Sequence, residues 1–183
     1  SVSLGTTFYG MFKFKKGSIE AIRHVVRPSV SYGYRPDFSD IYYEKVQQNA
    51  ANPEEFLEYS PYSNGIYGSP SSGLSNSLSF TINNNLEAKL RKKDSSETEA
   101  KKIILLNNLN FSSSYNMAAD SLKWSPVSVN AGTNLFDNKL SVNVRATLDP
   151  YALDVNGKKI NTFNYNNGGS LFRLTNAGLT MNY

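Results

Sequence analysis

The chain has 183 residues, a formal net charge of +4 and no cysteine, and it is rich in aromatic residues, with 12 Tyr and 10 Phe. The lack of cysteine excludes disulfides and thiolate metal sites, and no run of about 20 apolar residues offers a transmembrane helix. The abundance of Tyr, Phe, Asn, Ser and Thr instead favours alternating strands joined by polar turns.

Seven stretches in which apolar and polar residues alternate follow one another, and each predicts a strand with one apolar and one polar face. They cover residues 2–14, 19–35, 74–91, 102–116, 122–135, 140–149 and 170–183. Most of them are longer than the usual strand of about 5–6 residues. A shift of phase at Pro126 predicts a strand start or a bulge there. Because both ends of the chain fall inside such stretches, we expect a segment of one larger domain.

The predicted connections differ in length. Long loops cover 36–73 and 150–169, a charged turn covers 92–101, and short turns follow the first and fifth strands. In the first long loop, Asn52 followed by Pro53 predicts a helix start over 52–57. In the second, Asn156 and Gly157 predict a primed turn.

Long two-faced strands and loops of unequal length together indicate an all-β fold of a particular kind. They are typical of an antiparallel up-and-down transmembrane β-barrel, here partial, with about seven long strands and long extracellular loops. The alternative is a soluble all-β domain such as a sandwich, whose strands also alternate but are mostly short.

Basic residues in the polar phase of the strands are the candidate binding residues. They are Arg23, Arg27, Arg35, Lys89, Arg91 and Arg145, with Lys13 in the same phase. Only Glu87 and Asp149 oppose them in that phase, and Arg173 is left out because it shares a phase with Leu179. Guanidinium groups bind phosphates bidentately, so an electropositive lumen is expected to bind an anionic cargo. The alternative is that these groups pair with acids or face water.

The apolar phase supplies the residues expected to face lipid. They are Val26, Val30, Leu78, Phe80, Ile82, Val142, Val144 and Leu179. Aromatic residues near the strand ends are expected to lie at the membrane interface, as in barrel girdles. These are Tyr32, Tyr34, Tyr115 and Trp124.

No residue pattern indicates catalysis, a metal or a cofactor. His24 is the only histidine and has no partner at a spacing that suggests a general base. Asp149, Asp154 and Asn156 form only part of a calcium-loop pattern. No nucleic-acid-binding module is present. The chain is therefore not expected to be an enzyme, and no cofactor or nucleic acid is expected.

Four stretches of sequence resemble one protein family. They are RHVVRPSVSYGYRPDFS at 23–39, YSPYSNGIYGSPSSGLSNSLSFTINNNLEAKLR at 59–91, YNMAADSLKWSPVSVNAGTNLF at 115–136 and DPYALDVNGKKIN at 149–161. They resemble the barrel of LptD-like (OstA-like) lipopolysaccharide-assembly proteins, in a divergent branch. The most specific piece is the Arg23–His24 start with the P-S-V-S-Y-x-Y-R-P run that follows.

The resemblance implies an outer-membrane translocon that inserts lipopolysaccharide into the outer leaflet. It also implies three kinds of partner: lipopolysaccharide or a related glycolipid together with outer-membrane lipids, an LptE-like plug lipoprotein, and a periplasmic bridge protein. Disulfide-controlled maturation is not implied by this cysteine-free segment, and no gate residue is assigned. The alternatives are another outer-membrane barrel, such as a porin or a protein-export channel, and a surface adhesin that uses the Tyr-rich loop.

Overall fold

The computed structural model of the chain describes residues 1–48, 56–91, 102–136 and 139–183, and these form mainly β-strands. The strands are β1 (Val2–Gly5), β2 (Phe8–Lys13), β3 (Ile19–Arg35), β4 (Glu44–Gln47), β5 (Phe56–Tyr59), β6 (Ser75–Leu90), β7 (Lys102–Asn116), β8 (Val127–Leu135), β9 (Leu140–Asp149), β10 (Tyr151–Leu153), β11 (Lys159–Phe163) and β12 (Arg173–Asn182). A short helix, α1 (Ser39–Tyr42), precedes β4, and a 3₁₀ turn (Tyr165–Asn167) follows β11.

The long strands form one antiparallel sheet in the order β1, β3, β6, β7, β8, β9, β12, with β2 also paired to β3. Apart from the edge strands β1 and β2, each strand lies beside the next long strand in the chain, so the path runs up and down. In the part of the chain that the structure describes, β12 does not pair with β1 or β2. The all-β antiparallel prediction is confirmed, whereas closure into a barrel is not seen.

The observed strand limits follow local chemistry. The predicted strands over 19–35, 102–116 and 140–149 coincide with β3, β7 and β9, while the first predicted strand is divided into β1 and β2. The fifth begins at Val127 instead of residue 122, because Pro126 has no N–H to donate to the ladder. The predicted strand start at Pro126 is therefore confirmed.

Both long connections contain a small hairpin that the sequence did not predict. In the first, Val46 pairs with Leu57 across β4 and β5. The predicted helix start over 52–57 is therefore wrong at residues 56 and 57, and residues 52–55 lie outside the described part, as does the predicted charged turn over 92–101. Phe56 and Tyr59 in β5 favour the extended conformation over a helix.

The second hairpin joins β10 and β11. Here the primed-turn prediction is wrong, because Gly157 has a φ of 77° but Asn156 is not among the residues with positive φ. The Gly157 amide donates to the Asp154 carbonyl at 3.0 Å, and the Asp154 carboxylate accepts the amides of Asn156 and Lys158. The carboxylate therefore holds the turn.

Directly opposed residues share a face of the sheet, so the register defines two faces. One row runs from Pro28 through Ile82, Phe111, Val129 and Ala146 to Ala177. We call this side the apolar face. We call the other side the polar face, and it carries mainly Ser, Thr, Asn, Gly and basic residues. All eight residues predicted to face lipid lie on the apolar face: Val26, Val30, Leu78, Phe80, Ile82, Val142, Val144 and Leu179.

Very little of this sheet is covered by other elements. The buried apolar residues are Ala21, Val25, Ala88, Tyr151 and Ala152. On the apolar face Ile82 is 43% exposed, Val144 43% and Leu179 59%. Within the described ranges the sheet is therefore a single layer whose apolar surface is largely uncovered. No helix in the described ranges has the length and apolar character needed to cross a membrane.

The connections after β3, β7 and β9 lie at one end of the sheet, as follows from the up-and-down path. We call this the loop end. It carries both hairpins and the 3₁₀ turn, whereas the turn between β2 and β3 lies at the opposite end.

Candidate functional site

A row of polar side chains crosses the middle of the polar face. Arg27 stands opposite Asn83, which stands opposite Asn110. The row continues from Asn110 to Asn130 and ends at Arg145. We call these five residues the central polar row. Each of its asparagines offers an amide donor and a carbonyl acceptor, and each of its arginines offers a cationic fork.

Both arginines of the central polar row are available to a ligand. The side chains of Arg27 and Arg145 are exposed, and neither has a hydrogen-bond or ionic partner among the described residues. Between them, Oδ1 of Asn110 is buried and also has no partner there. The row therefore holds two cations and one hydrogen-bond acceptor without partners in the described residues. The cations could bind phosphate groups and the acceptor a hydroxyl group of the same ligand.

The other four predicted cations have partners within the chain. Arg23 Nη2 lies 3.1 Å from Glu87 Oε2, and Lys89 Nζ lies 2.8 Å from Glu20 Oε1. Arg35 donates to the Gly73 carbonyl at 3.3 Å. The guanidinium of Arg91 donates to the carbonyls of Gly17 and Phe14. The structure therefore divides the predicted set of six, and anion binding by any of them stays a prediction.

Irregular register explains the positions of one acid, Glu20, and one base, Arg173. A shift between Ile19 and Ala21 places Glu20 within reach of Lys89, although Glu20 has the parity of the apolar phase. A second shift, between Leu174 and Asn176, places Arg173 opposite Asp149. Leaving Arg173 out of the polar phase was therefore wrong, because one bulged residue exchanges the two faces.

An ionic cluster forms around Asp149, whose side chain is 1% exposed. Its Oδ2 lies 2.6 Å from Lys159 Nζ and 3.5 Å from Arg173 Nη2, and its Oδ1 accepts the Tyr151 amide at 3.0 Å. The carboxylate thus joins β9, β11 and β12. The calcium alternative is not supported, since Asp149 is held by cations and Asp154 by its own turn.

Aromatic side chains cluster on the apolar face near the loop end. Tyr32 stands opposite Leu78, which stands opposite Tyr115. Tyr115 and Trp124 form an isolated bridge, with ring centroids 5.0 Å apart in an edge-to-face arrangement. Trp124 also lies 5.7 Å from Phe80. A position at a membrane interface stays a prediction, and the common level of these rings is consistent with it.

His24 lies on the apolar face, where its Nε2 is 3.0 Å from Asn84 Oδ1. Asn84 Nδ2 in turn donates to the Leu109 carbonyl at 3.1 Å. The pair satisfies both polar groups within the sheet, which is a structural role. Within the described ranges, no group of three or more His, Cys, Asp or Glu could hold a metal ion.

Sequence reasoning missed the asparagines of the central polar row. Alternation assigns Asn83, Asn110 and Asn130 to polar positions, but their mutual register depends on connections whose length does not fix it. Only the register of the paired strands shows that these three asparagines lie side by side.

A comparison with protein-family models identifies a family for this chain. The family model described as LptD protein matches residues 1–151 of the 183. No curated protein and no solved structure matches the chain.

Proposed function

Because the chain belongs to the LptD family, we propose that its sheet is part of the wall of an outer-membrane translocon that inserts lipopolysaccharide into the outer leaflet. Members of this family act in lipopolysaccharide transport and assembly at the outer membrane. In this proposal the apolar face contacts lipid, the polar face lines an electropositive lumen, and the loop end is extracellular.

The observation that carries the proposal is the sorting of residues by cross-strand register over every pair of long strands. The row from Pro28 to Ala177 is wholly apolar. The adjacent central polar row contains only Arg and Asn from β3 to β9, and Gly178 stands opposite Arg145 on β12. A soluble domain covers the apolar face of a sheet with a second layer, and a large uncovered apolar surface marks a binding or membrane surface. A single layer with one apolar and one polar face suits a wall between lipid and water.

The two edges of the sheet support a larger assembly. Unpaired backbone groups are severely unfavourable in hydrocarbon, so a sheet in a bilayer must close. In the described residues β12 has no second neighbour, and β1 and β2 pair only with β3. We therefore propose that both edges pair with further strands to complete the barrel. From the resemblance to LptD-like proteins we also propose an LptE-like plug lipoprotein and a periplasmic bridge protein as partners.

The central polar row is the proposed contact for the cargo. Arg27 and Arg145 are separated by four strand spacings of about 4.8 Å, or about 19 Å along the sheet. Two phosphate groups of a glycolipid would bind at the two guanidinium ends, and sugar hydroxyls would bind the intervening amides. This proposal is supported by the lack of internal partners for both arginines in the part that the structure describes.

The test uses the full-length protein in its own membrane. Replacing Arg27 and Arg145 together with Gln is expected to lower surface lipopolysaccharide several-fold while heat-modifiable migration of the barrel is unchanged. The matched control replaces Arg23 and Lys89 with Gln, which removes the same charge from the same face but from cations that Glu87 and Glu20 already neutralise. Normal surface lipopolysaccharide in the Arg27/Arg145 variant would contradict the cargo contact.

A further inference from the structure

A groove runs along the apolar face at the loop end, beside β7. Its wider part has a volume of about 350 Å³ and is lined mainly by Ser113, Trp124, Val127, Phe163, Leu171 and Phe172. A narrower part of about 160 Å³ shares Ser113 and Val127 and continues to Phe80, Ile82 and Phe111. Because Ile82 and Phe111 lie closer to the middle of the sheet than Phe80 and Ser113, the groove follows the strand direction.

The sequence explains why a groove forms at this place. The regular ladder between β7 and β8 ends at the pair of Ser112 and Ser128, and beyond Pro126 pairing resumes one residue out of register at the bridge between Tyr115 and Trp124. Between these two pairs, the Ser125 hydroxyl accepts the Ser114 amide at 2.7 Å in place of a backbone partner. Ser113 stands opposite Phe80 on the apolar face, where a small side chain leaves space beside large ones. The groove thus lies where the ladder is irregular and where the small side chain of Ser113 stands among large ones.

The outer wall of the groove is held firmly in place. The Phe163 ring stacks on Tyr151 with centroids 5.5 Å apart, and the Tyr151 hydroxyl accepts the Trp124 amide at 2.9 Å. The Asp149 cluster ties the same hairpin to β12 through Arg173. The groove is therefore built by ordered contacts on two of its sides.

A cation lies beside the apolar groove. A recess of about 320 Å³ shares Trp124 and Phe163 with the groove and is also lined by Lys123 and Asn161. The Lys123 ammonium has no partner among the described residues, while Asn161 Oδ1 accepts the Leu122 amide at 3.0 Å. The recess that Lys123 lines thus adjoins the apolar groove through Trp124 and Phe163.

We propose that this groove binds one acyl chain of lipopolysaccharide from the surrounding outer leaflet, with a phosphate of the same molecule at Lys123. The site lies on the opposite face from the central polar row, so it holds a neighbouring lipid and not the cargo in transit. The inference rests on the proposed function, because it needs the apolar face to contact the bilayer.

Three features favour this occupant over a protein segment or a second copy of the chain. The groove is continuous with the uncovered apolar face and runs along the strands, as a lipid tail does. Its volume lies in the range of small-molecule sites, about 300–1,000 Å³. The free cation at its polar end matches a phosphate-bearing headgroup, and under the proposed function the loop end meets the leaflet that contains phosphorylated glycolipid.

The experiment places the photoreactive residue p-benzoylphenylalanine at Phe172 in the full-length protein in its own outer membrane. Irradiation is expected to give an adduct with lipopolysaccharide. Ser113→Phe, which fills the groove, should lower that adduct about fivefold, as should Lys123→Gln. The first control is Ala177→Phe, which adds a ring to the apolar face on β12. The second control is Lys158→Gln, which removes an exposed cation from the β10–β11 hairpin. Neither control should change the adduct.

The same photoreactive residue at Val144 separates the two proposals, since Val144 lies on the apolar face but does not line the groove. Suppose that Val144 gives a lipid adduct, whereas Phe172 gives an adduct with phospholipid or protein only, or no adduct. That result overturns the groove site but leaves the proposed function standing. No lipid adduct at either position overturns the proposed function as well. If Ser113→Phe prevents assembly, Lys123→Gln alone serves as the test. The groove site is then overturned if Lys123→Gln leaves the lipopolysaccharide adduct at Phe172 unchanged.

Discussion

The guanidinium of Arg173 lies 3.5 Å from the carboxylate of Asp149, directly across the pair formed by β9 and β12. Its Nε also donates to the Tyr151 carbonyl at 2.6 Å, and Lys159 approaches the same carboxylate oxygen from β11. A buried carboxylate is stable only when cations and donors surround it. These contacts therefore join the β10–β11 hairpin to the sheet through one side chain.

Replacing Asp149 with Ala should loosen this end of the sheet. The change removes two ionic contacts and one backbone hydrogen bond, and it leaves the cations of Arg173 and Lys159 unbalanced. We expect a loss of about 1.5–3 kcal/mol in the free energy of unfolding, the range for hydrogen bonds to charged groups. The measurement is the temperature at which the full-length protein loses its heat-modifiable migration, together with protease cleavage between residues 150 and 172.

Asp40→Ala is the control, because Asp40 is an exposed carboxylate with no ionic or hydrogen-bond partner in the described ranges. Its effect should stay within about 0.5 kcal/mol. Equal effects of the two substitutions would show that the Asp149 cluster does not stabilise the hairpin.

Alternation predicted the strands well where it was uninterrupted. The limits of β3, β7 and β9 follow directly from it, and so does the assignment of Val30, Ile82 and Val144 to one face. Pro126 was informative because a residue without an N–H restricts the ladder to a strand start, an edge or a bulge at that position.

Where a bulge intervenes, the parity of a residue no longer gives its face. Arg173 was misassigned for this reason, since a bulge leaves no mark in composition that distinguishes it from regular alternation. The central polar row could not be predicted from the sequence for a different reason. It needs the register of five strands at once, which depends on connections such as 36–73 whose own hairpin was not predicted.

Two glycines on the polar face should respond to alanine in opposite ways. A Cβ at Gly132 would lie 2.6 Å from Asn108 Oδ1 and 2.9 Å from Asn143 Oδ1, so both amides would have to move. A Cβ at Gly178 would meet nothing within 4 Å. Gly132→Ala should therefore destabilise the protein, by roughly 1 kcal/mol for such overpacking. Gly178→Ala should stabilise it by about 0.4–1 kcal/mol, because the unfolded chain loses conformational freedom.

Denaturant unfolding of the full-length protein in lipid measures both changes. The opposite signs are the test, because strand propensity alone would make alanine better than glycine at each position. A stabilising Gly132→Ala would mean that the two asparagine amides do not meet over this glycine.

Asp37 should make the closure of the first long loop depend on pH. The Ser39 hydroxyl, followed by the amides of Ser39 and Gly73, donates to this carboxylate and holds its pKa below the ordinary value of 3.8. A lowered pKa in the folded state means that the stabilisation is fully present above pH 3.8 and is lost as the pH falls through the lower, folded value. Between pH 5 and pH 7 no change is expected.

The measurement compares the melting temperature of the full-length protein with that of Asp37→Asn as the pH is lowered. The difference between the two should be constant from neutral pH down to about pH 4 and should disappear below the folded pKa. Asp40→Asn is the matched control. The difference between its melting temperature and that of the unsubstituted protein should not show this dependence on pH. A difference for Asp37→Asn that persists at the lowest pH would contradict the role of the carboxylate.

The assignment of the two faces is tested by neighbouring residues on one strand. Val144 and Asn143 are both exposed in the structure but lie on opposite faces of β9, so a soluble sheet would accept arginine at either position. Against hydrocarbon, Val144→Arg should cost about 2–4 kcal/mol near the bilayer midplane, whereas Asn143→Arg should be tolerated in a watery lumen. Ile82 and Asn83 form the same comparison on β6, and Ile82→Arg should be the unfavourable member. Unfolding of the full-length protein in bilayers measures all four variants. Equal losses within each pair would mean that lipid does not contact the apolar face, and the barrel wall would have to be abandoned.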